Sequence, residues 1–389
     1  MNNLCAEIGY RSLNKFGEQL CGDMVQVFQD SDTLILVLAD GLGSGVKANI
    51  LSTLTSTIIS TMIANSMSID ECVSTIAATL PVCQKRGVAY STFTIIKITN
   101  NTEAEIIQYD NPMVILLRKG KSYDYPVSVR EVEGKKIHES KIELELDDVF
   151  IAMSDGVIYA GVGQVLNYGW QRENVITYVE ENYSQSYSAK LITSMILDEC
   201  DRLYANMPGD DTTVSTIKIR ERKACNLLIG PPANPDDVGK MMSLFFMKEG
   251  RHIVCGGTTS TLAAEFLGKT VEAQINYEDP SVPPTAKIEG VDLVTEGVLT
   301  ISHVLEYAQD YLGENTRYEQ WGRKNDGASQ IARLLFEEAT DINFYVGKAI
   351  NPAHQNPDLP ITFSIKIKLI QDLADCLKKM GKAIKVSYF

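Results

Sequence analysis

The chain has 389 residues, 44% hydrophobic and 22% charged, with 36 Lys plus Arg against 50 Asp plus Glu for a net charge of −14. That length exceeds one ordinary core and predicts two domains, and the composition is that of a globular protein. The acidic balance excludes a general affinity for nucleic acid or an anionic membrane surface, while leaving basic protein partners open.

Eight cysteines, at 5, 21, 72, 83, 200, 225, 255 and 376, contain no C-x-x-C pair. They read as reduced thiols rather than a disulfide framework. The N-terminus lacks the charged-then-apolar pattern of a signal peptide. No apolar run approaches the ~18 residues of a membrane-spanning helix. A cytoplasmic location is expected.

In chain order, Cys5 to Arg11 fits the C-x5-R spacing of cysteine phosphatases. The intervening Ala6 to Tyr10 reads as a strand, however, whereas that chemistry needs a loop of free backbone N–H groups. Met24 to Phe28 alternates, Gln29 to Asp32 makes a turn, and Thr33 to Leu38 is almost continuously apolar: a hairpin feeding a fully buried strand. After a glycine-rich turn comes a long helix, whose expected core face is Val46, Ile50, Leu54, Ile58 and Met62, with Leu51 and Ile59 beside it. A second helix is expected from Ser68, with Asp70 and Glu71 in its first turn and a stripe of Ile69, Val73, Ile76 and Leu80. Tyr90 to Ile98, Ala104 to Tyr109 and Met113 to Arg118 read as successive antiparallel strands, with Asn100-Asn101 and Lys119-Gly120 as turns. Ile142 to Met153 continues in strand, two helices follow at about 171–182 and 188–205, and Thr213 to Ile219 closes the unit. This order describes α-β-β-α layering.

The charged run Arg220 to Lys223 marks the expected boundary between domains at 1–222 and 223–389. Beyond it, strands at Cys225 to Ile229, His252 to Cys255, about 270–275, 341–347 and 382–387 alternate with helices at about 234–247, after Gly256, and at about 300–313 and 326–338. Residues 361–377 fit strand by Ile361, Phe363, Ile365 and Ile367, and helix by Ile367, Ile370, Leu373 and Leu377. The alternation predicts an α/β domain with a mostly parallel sheet.

Four acidic motifs carry the chemistry: Cys21-Gly22-Asp23, Asp40-Gly41-Leu42-Gly43-Ser44-Gly45, Ser154-Asp155-Gly156 and Gly209-Asp210-Asp211-Thr212-Thr213. A lone Asp-Gly is a turn pair. Two of them after apolar strands, joined by Asp23 and Asp210, are hard to explain as turns. Buried carboxylates are costly unless paired or metal-bound. Four converging at one end of a sandwich can hold two divalent ions, and hard oxygen donors suit Mg²⁺ or Mn²⁺. Two such ions are a solution for hydrolysing phosphate esters.

In these motifs the chain resembles the metal-dependent protein phosphatases of the protein phosphatase 2C type, in particular their bacterial SpoIIE-like branch, over about residues 1–220. Tyr109-Asp110-Asn111-Pro112 also sits where that branch often carries an Asn/Gly-His-Pro turn. The resemblance implies a four-layer α-β-β-α sandwich of antiparallel sheets with a two-metal site. It implies that Asp40 bridges both ions, that the Gly41 carbonyl ligates one, and that Asp155 and Asp210 hold the metal on the other side of a bridging, nucleophilic water. Asp23 would ligate an ion or orient metal-bound water, Asp211 would stand behind the ligands, and Thr213 would support the strand. One departure concerns the arginine that animal relatives place five residues before the first aspartate. Glu18 stands there, so Lys15, Arg11, or metals and backbone alone must grip phosphate.

The expectation is a Mn²⁺- or Mg²⁺-dependent serine/threonine phosphatase acting on a phosphorylated regulatory protein. The alternatives are a small-molecule phosphomonoesterase and a catalytically silent binding protein. The two N-terminal-domain helices are candidates for a regulatory or homodimer interface in this branch. The C-terminal domain would be regulatory or substrate-recruiting, with a small molecule or protein as effector. There Gly256, Gly257, Thr258 and Thr259 could cradle an anion on helix amides, although a tight turn with a capping hydroxyl is the favoured explanation. His252, His303 and His354 are too dispersed to suggest a metal site, and Tyr318 and Trp321 read as packing residues.

Overall fold

The structure, a computed structural model, describes residues 3–30, 32–79, 91–273, 284–313, 317–349 and 361–389. The expectations for Leu80, Tyr90, residues 274–275, His354 and the loop 351–360 lie outside these. The chain divides into two compact units, Met1–Glu221 and Arg222–Phe389. Among the described residues no helix is long and apolar enough to cross a membrane.

Unit 1 runs β1 (Leu4–Leu13), β2 (Asp23–Gln29), β3 (Thr33–Gly41), α1 (Gly45–Ala64), α2 (Ile69–Thr79), β4 (Ser91–Thr99), β5 (Glu103–Tyr109), β6 (Ile115–Arg118), β7 (Lys121–Ser122), β8 (Ser128–Val132), β9 (Lys135–Glu143), β10 (Val149–Met153), α3 (Asp155–Ile158), α4 (Arg172–Asn182), α5 (Ala189–Leu203) and β11 (Thr212–Glu221). Two antiparallel sheets form, in the orders β2-β3-β4-β5-β9-β8 and β1-β11-β10-β6-β7. Alternation along β3 shows why its apolar run is continuous. Leu34, Leu36 and Leu38 face Phe150, Ile217 and Ile219 of the second sheet. Ile35 and Val37 face Leu51, Ile59 and Val73 of α1 and α2. The outer face of the second sheet is covered in the same way, with Ile151 and Val214 against Ile192 and Ile196 of α5. The result is an α-β-β-α sandwich.

Local chemistry sets several junctions. Asn100 and Asn101 both take positive φ, 52° and 53°, at the centre of the turn that the Thr102 N–H closes on the Thr99 carbonyl at 3.0 Å, within the three-residue link between β4 and β5. Ser68 and Glu71 form a reciprocal cap at the start of α2: the Ser68 N–H donates to the Glu71 carboxylate at 2.8 Å and the Glu71 N–H to the Ser68 hydroxyl at 3.3 Å.

Three expectations need correction. Strand β6 does not follow β5 in one sheet; it crosses to the other and pairs with β10. Ile142 to Met153 is likewise two strands in different sheets, because the chain crosses the sandwich between Glu143 and Val149. The α1 face is also different. Val46, Ile50 and Leu54 are exposed, while Ala48, Leu51, Ser52, Thr55, Ser56 and Ile59 are buried. The cause is close approach: a Cβ on Gly41 would lie 2.1 Å from the Ala48 carbonyl oxygen. Mostly small side chains fit that seam, so the large ones turn outward.

Unit 2 runs β12 (Ala224–Ile229), α6 (Val238–Phe246), β13 (Arg251–Cys255), α7 (Gly257–Leu267), β14 (Glu272–Ala273), β15 (Ala286–Lys287), β16 (Leu293–Thr295), α8 (Val298–Leu312), α9 (Tyr318–Trp321), α10 (Gly327–Ala332), β17 (Asp341–Val346), α11 (Ile361–Lys379) and β18 (Ala383–Tyr388). Its sheet has the order β14-β15-β16-β13-β12-β17-β18. The five strands from β16 to β18 are parallel and only the β14–β15 edge is antiparallel. One face packs on α8, α10 and α11, the other on α6 and α7. The ambiguous segment is helical because Ile370, Leu373 and Leu377, spaced three and four apart, are fully buried. Trp321 is fully buried, with Tyr318 at 5.0 Å between ring centroids.

Candidate active site

Asp23 opens β2 and Asp40 stands next to last in β3, and the two are paired in register. Two hydrogen bonds fix this strand end: the Gly41 N–H donates to the Gly22 carbonyl at 3.1 Å, and the Ser91 hydroxyl to the Asp40 carbonyl at 2.8 Å. From the second sheet, Asp155 follows β10 as the first residue of α3, and Asp210 and Asp211 precede β11. These ends are adjacent because Met153 pairs with Val214. The Thr213 N–H donates to the Ser154 hydroxyl at 2.9 Å, and the Thr213 hydroxyl donates to Ser12 at 2.7 Å. A Cβ on Gly156 would fall 2.1 Å from the Asp211 carbonyl oxygen, so glycine alone permits this approach.

The two sheets thus bring the predicted aspartates together at one end of the sandwich. Burial, then the charges of Asp23, Asp155 and Asp210, push the Asp40 carboxyl far above the usual carboxylate range. Burial and the charge of Asp210 raise Asp155, and Asp40 and Asp155 share a hydrogen bond. Asp23 is only 3% exposed, and burial raises it too. The Ser154 and Thr213 hydroxyls ease that shift, yet neither Asp23 oxygen has a partner in full hydrogen-bonding geometry. Asp211 is buried; one oxygen accepts from the Lys15 N–H at 3.0 Å and the other has no partner. Asp210 is raised by burial and eased by Lys15, whose ammonium lies 3.8 Å from it.

Among the described residues no three acidic, His or Cys side chains already encircle a point as metal ligands do. The donor set nonetheless fits hard divalent cations. It is all oxygen, buried at Asp23 and Asp211, half-buried at Asp40, Asp155 and Asp210, and mutually repelling, and the unpartnered Asp23 and Asp211 oxygens are what such an ion would satisfy.

The other sequence candidates separate cleanly. Cys5 and Arg11 lie within β1, paired throughout with β11, so no C-x5-R loop exists. Arg11 is bound to Asp198 at 2.7 Å, and Glu18 accepts from the Ser44 hydroxyl at 3.1 Å. In unit 2 the Thr259 hydroxyl accepts from the Gly230 N–H and the Ser260 hydroxyl donates to the Gly256 carbonyl. The hydroxyl of Thr259 is therefore spent internally, and Gly257 and Thr258 are exposed at the start of α7. Asp110 lies in the Tyr109-Asp110-Asn111-Pro112 turn, which the resemblance singled out without giving Asp110 a role; it takes a φ of 56° there, and its charge contributes to raising Asp155.

Residues 30–220 match the family described as Stage II sporulation protein E (SpoIIE). No curated protein matches the chain. Among solved structures, the PP2C phosphatase domain and regulatory-domain fragment of SpoIIE, a cell fate determinant of Bacillus subtilis, is 17% identical, with a TM-score of 0.49 over 57% of this chain and 64% of that one. The RsbU and RsbW domains of a Mycobacterium tuberculosis protein are 14% identical, with a TM-score of 0.48 over 83% of this chain and 79% of that one. RsbX in complex with magnesium is 21% identical, with a TM-score of 0.39 over 55% of this chain and 95% of that one.

Proposed function

Since residues 30–220 belong to the SpoIIE-like branch of the metal-dependent protein phosphatases, we propose that this chain hydrolyses phosphoserine and phosphothreonine in a regulatory protein with the help of two Mn²⁺ or Mg²⁺ ions. The observation that carries this reading is Asp23: a buried carboxylate with no full hydrogen-bond partner, set among Asp40, Asp155 and Asp210. An unpaired buried charge is too costly to keep without a counter-ion.

Asp40, in register with Asp23 and close to Asp155, would be a ligand of the ions, as would the Gly41 carbonyl that follows it. Asp23, Asp155 and Asp210 would complete their protein ligands. When bound, the ions supply positive charge that polarises the phosphate and lowers the pKa of an attacking water. The chain itself supplies rigidity. Ser154 and Thr213 tie α3 to β11, and the Tyr204 hydroxyl donates to the Gly156 carbonyl at 2.7 Å. Cys21 is no competing nucleophile, since burial and the charge of Asp23 push its thiol up to about 12.

A protein substrate is favoured over a small ester by the surroundings. The segment through Glu18 and Cys21 runs along α1, held by Ser44 and by the Asn49 amide on the Cys21 carbonyl at 2.8 Å. Phe16 and Leu20 in this segment and Val46 and Ile50 on α1 are exposed apolar side chains, which a protein partner would cover. Unit 2 would then regulate the phosphatase or recruit its substrate.

The test is hydrolysis of an aryl phosphate with Mn²⁺, with chelator, and by Asp40→Ala, followed by kcat/KM on phosphoprotein against small esters. Metal-dependent turnover lost in Asp40→Ala supports the reading. Absence of Mn²⁺ binding sinks it, and a preference for small esters replaces the protein substrate.

A further inference from the structure

We infer that Lys15 is the group that holds the substrate phosphate, an assignment that rests on the phosphatase reading of this site. Charge arithmetic shows why such a group is needed. Asp23, Asp40, Asp155, Asp210 and Asp211 meet at one end of unit 1, five carboxylates against the four positive charges of two divalent ions. Fully ionised, the loaded site retains no net positive charge. A phosphate monoester arrives as a dianion, so a further cation must stand at the mouth to offset repulsion.

Three residues of the entry segment could be considered. Arg11 is held by Asp198 at 2.7 Å. Glu18 is an acid and accepts from Ser44. Lys15 is different on each count. Its backbone N–H is pinned to the Asp211 carboxylate at 3.0 Å, which fixes where the side chain starts. Its ammonium lies 3.8 Å from Asp210, near enough to feel the charge and too far for a hydrogen bond. The side chain is 38% exposed, so its flexible stem can carry the ammonium from Asp210 to an incoming phosphate oxygen. A lysine ammonium, a compact charge with three rotatable donors, suits that task without demanding a fixed approach angle. It makes its contact with a non-bridging oxygen and neither gains nor loses a proton.

The experiment uses the full chain with Lys15→Met and Lys15→Arg, and inorganic phosphate as probe. Phosphate binding is measured by calorimetry on Mn²⁺-loaded protein and as product inhibition of aryl phosphate hydrolysis. Lys15→Met should weaken phosphate binding and lower kcat/KM by about 10- to 100-fold, as expected for one charge-assisted hydrogen bond, mainly through KM. Lys15→Arg should restore most of both. Mn²⁺ affinity measured without substrate should hold or rise in Lys15→Met, because a competing cation near Asp210 is gone. Unchanged phosphate affinity in Lys15→Met overturns the assignment. Loss of Mn²⁺ binding overturns it too, since Lys15 would then only be positioning ligands. If the wild type binds Mn²⁺ and phosphate but hydrolyses no ester, the phosphatase reading fails, while a Lys15-dependent phosphate affinity still supports this assignment.

Discussion

Asp23 and Asp40 stand directly opposite each other on neighbouring antiparallel strands, and both are held above the ordinary carboxylate range chiefly by burial. Like charges in that position destabilise a sheet. A hairpin built for stability alone would place an apolar pair there, as β2 and β3 do at Val25 and Leu38. The site is therefore bought with fold stability, and that has measurable consequences.

The first concerns pH and metal. Folded-state values are raised from 3.8 to about 7 for Asp23 and about 9 for Asp40. Their contribution to stability is fully present below the unfolded value and is lost as pH rises through the folded ones. In chelator, the melting temperature should fall by several degrees between pH 5 and pH 9. Mn²⁺ should reverse the fall, and Asp40→Asn should flatten it while abolishing turnover. A profile in chelator that rises over this window would contradict the burial of these carboxylates.

A second prediction concerns Gly156. Its missing Cβ makes room for the Asp211 carbonyl. Gly156→Ala must push the start of α3 from β11 and carry Asp155 with it. The expected result is a destabilisation on the order of 1–3 kcal/mol, read by urea unfolding, together with weaker Mn²⁺ binding. A variant with wild-type stability and metal affinity would show that the seam can relax.

The third separates the two faces of α1. Ile59 is fully buried, and Ile59→Ala should cost about 2–5 kcal/mol. Ile50 is 53% exposed, and Ile50→Ala should stay within about 0.5 kcal/mol of wild type. Denaturant midpoints decide the matter. A large loss at Ile50 would return α1 to the face that its largest apolar residues suggest.

These residues also mark how far the sequence could be read. The apolar run of β3 followed by Asp40-Gly41, and that of β10 followed by Ser154-Asp155-Gly156, was legible because a carboxylate after a strand buried on both faces has few purposes. The parallel sheet of unit 2 was legible from its alternating elements. The α1 face was misread because its largest apolar residues do not face the core: the seam between Gly41 and Ala48 is too narrow for them. Residues 361–379 stayed ambiguous because both periodicities are present, and burial of Ile370, Leu373 and Leu377 decided between them.

By itself the sequence determined which residues could be strands, helices and turns, and which carboxylates were out of place in them. These are short-range properties, set by backbone sterics and by the spacing of apolar side chains. Only the tertiary structure decided that Asp23 pairs with Asp40, that Asp155 and Asp210 arrive from the other sheet, and that Lys15 reaches Asp210 while Arg11 is held by Asp198. Those meetings depend on hairpin register and on the packing of two sheets. They join residues far apart in the chain, and no local periodicity encodes them.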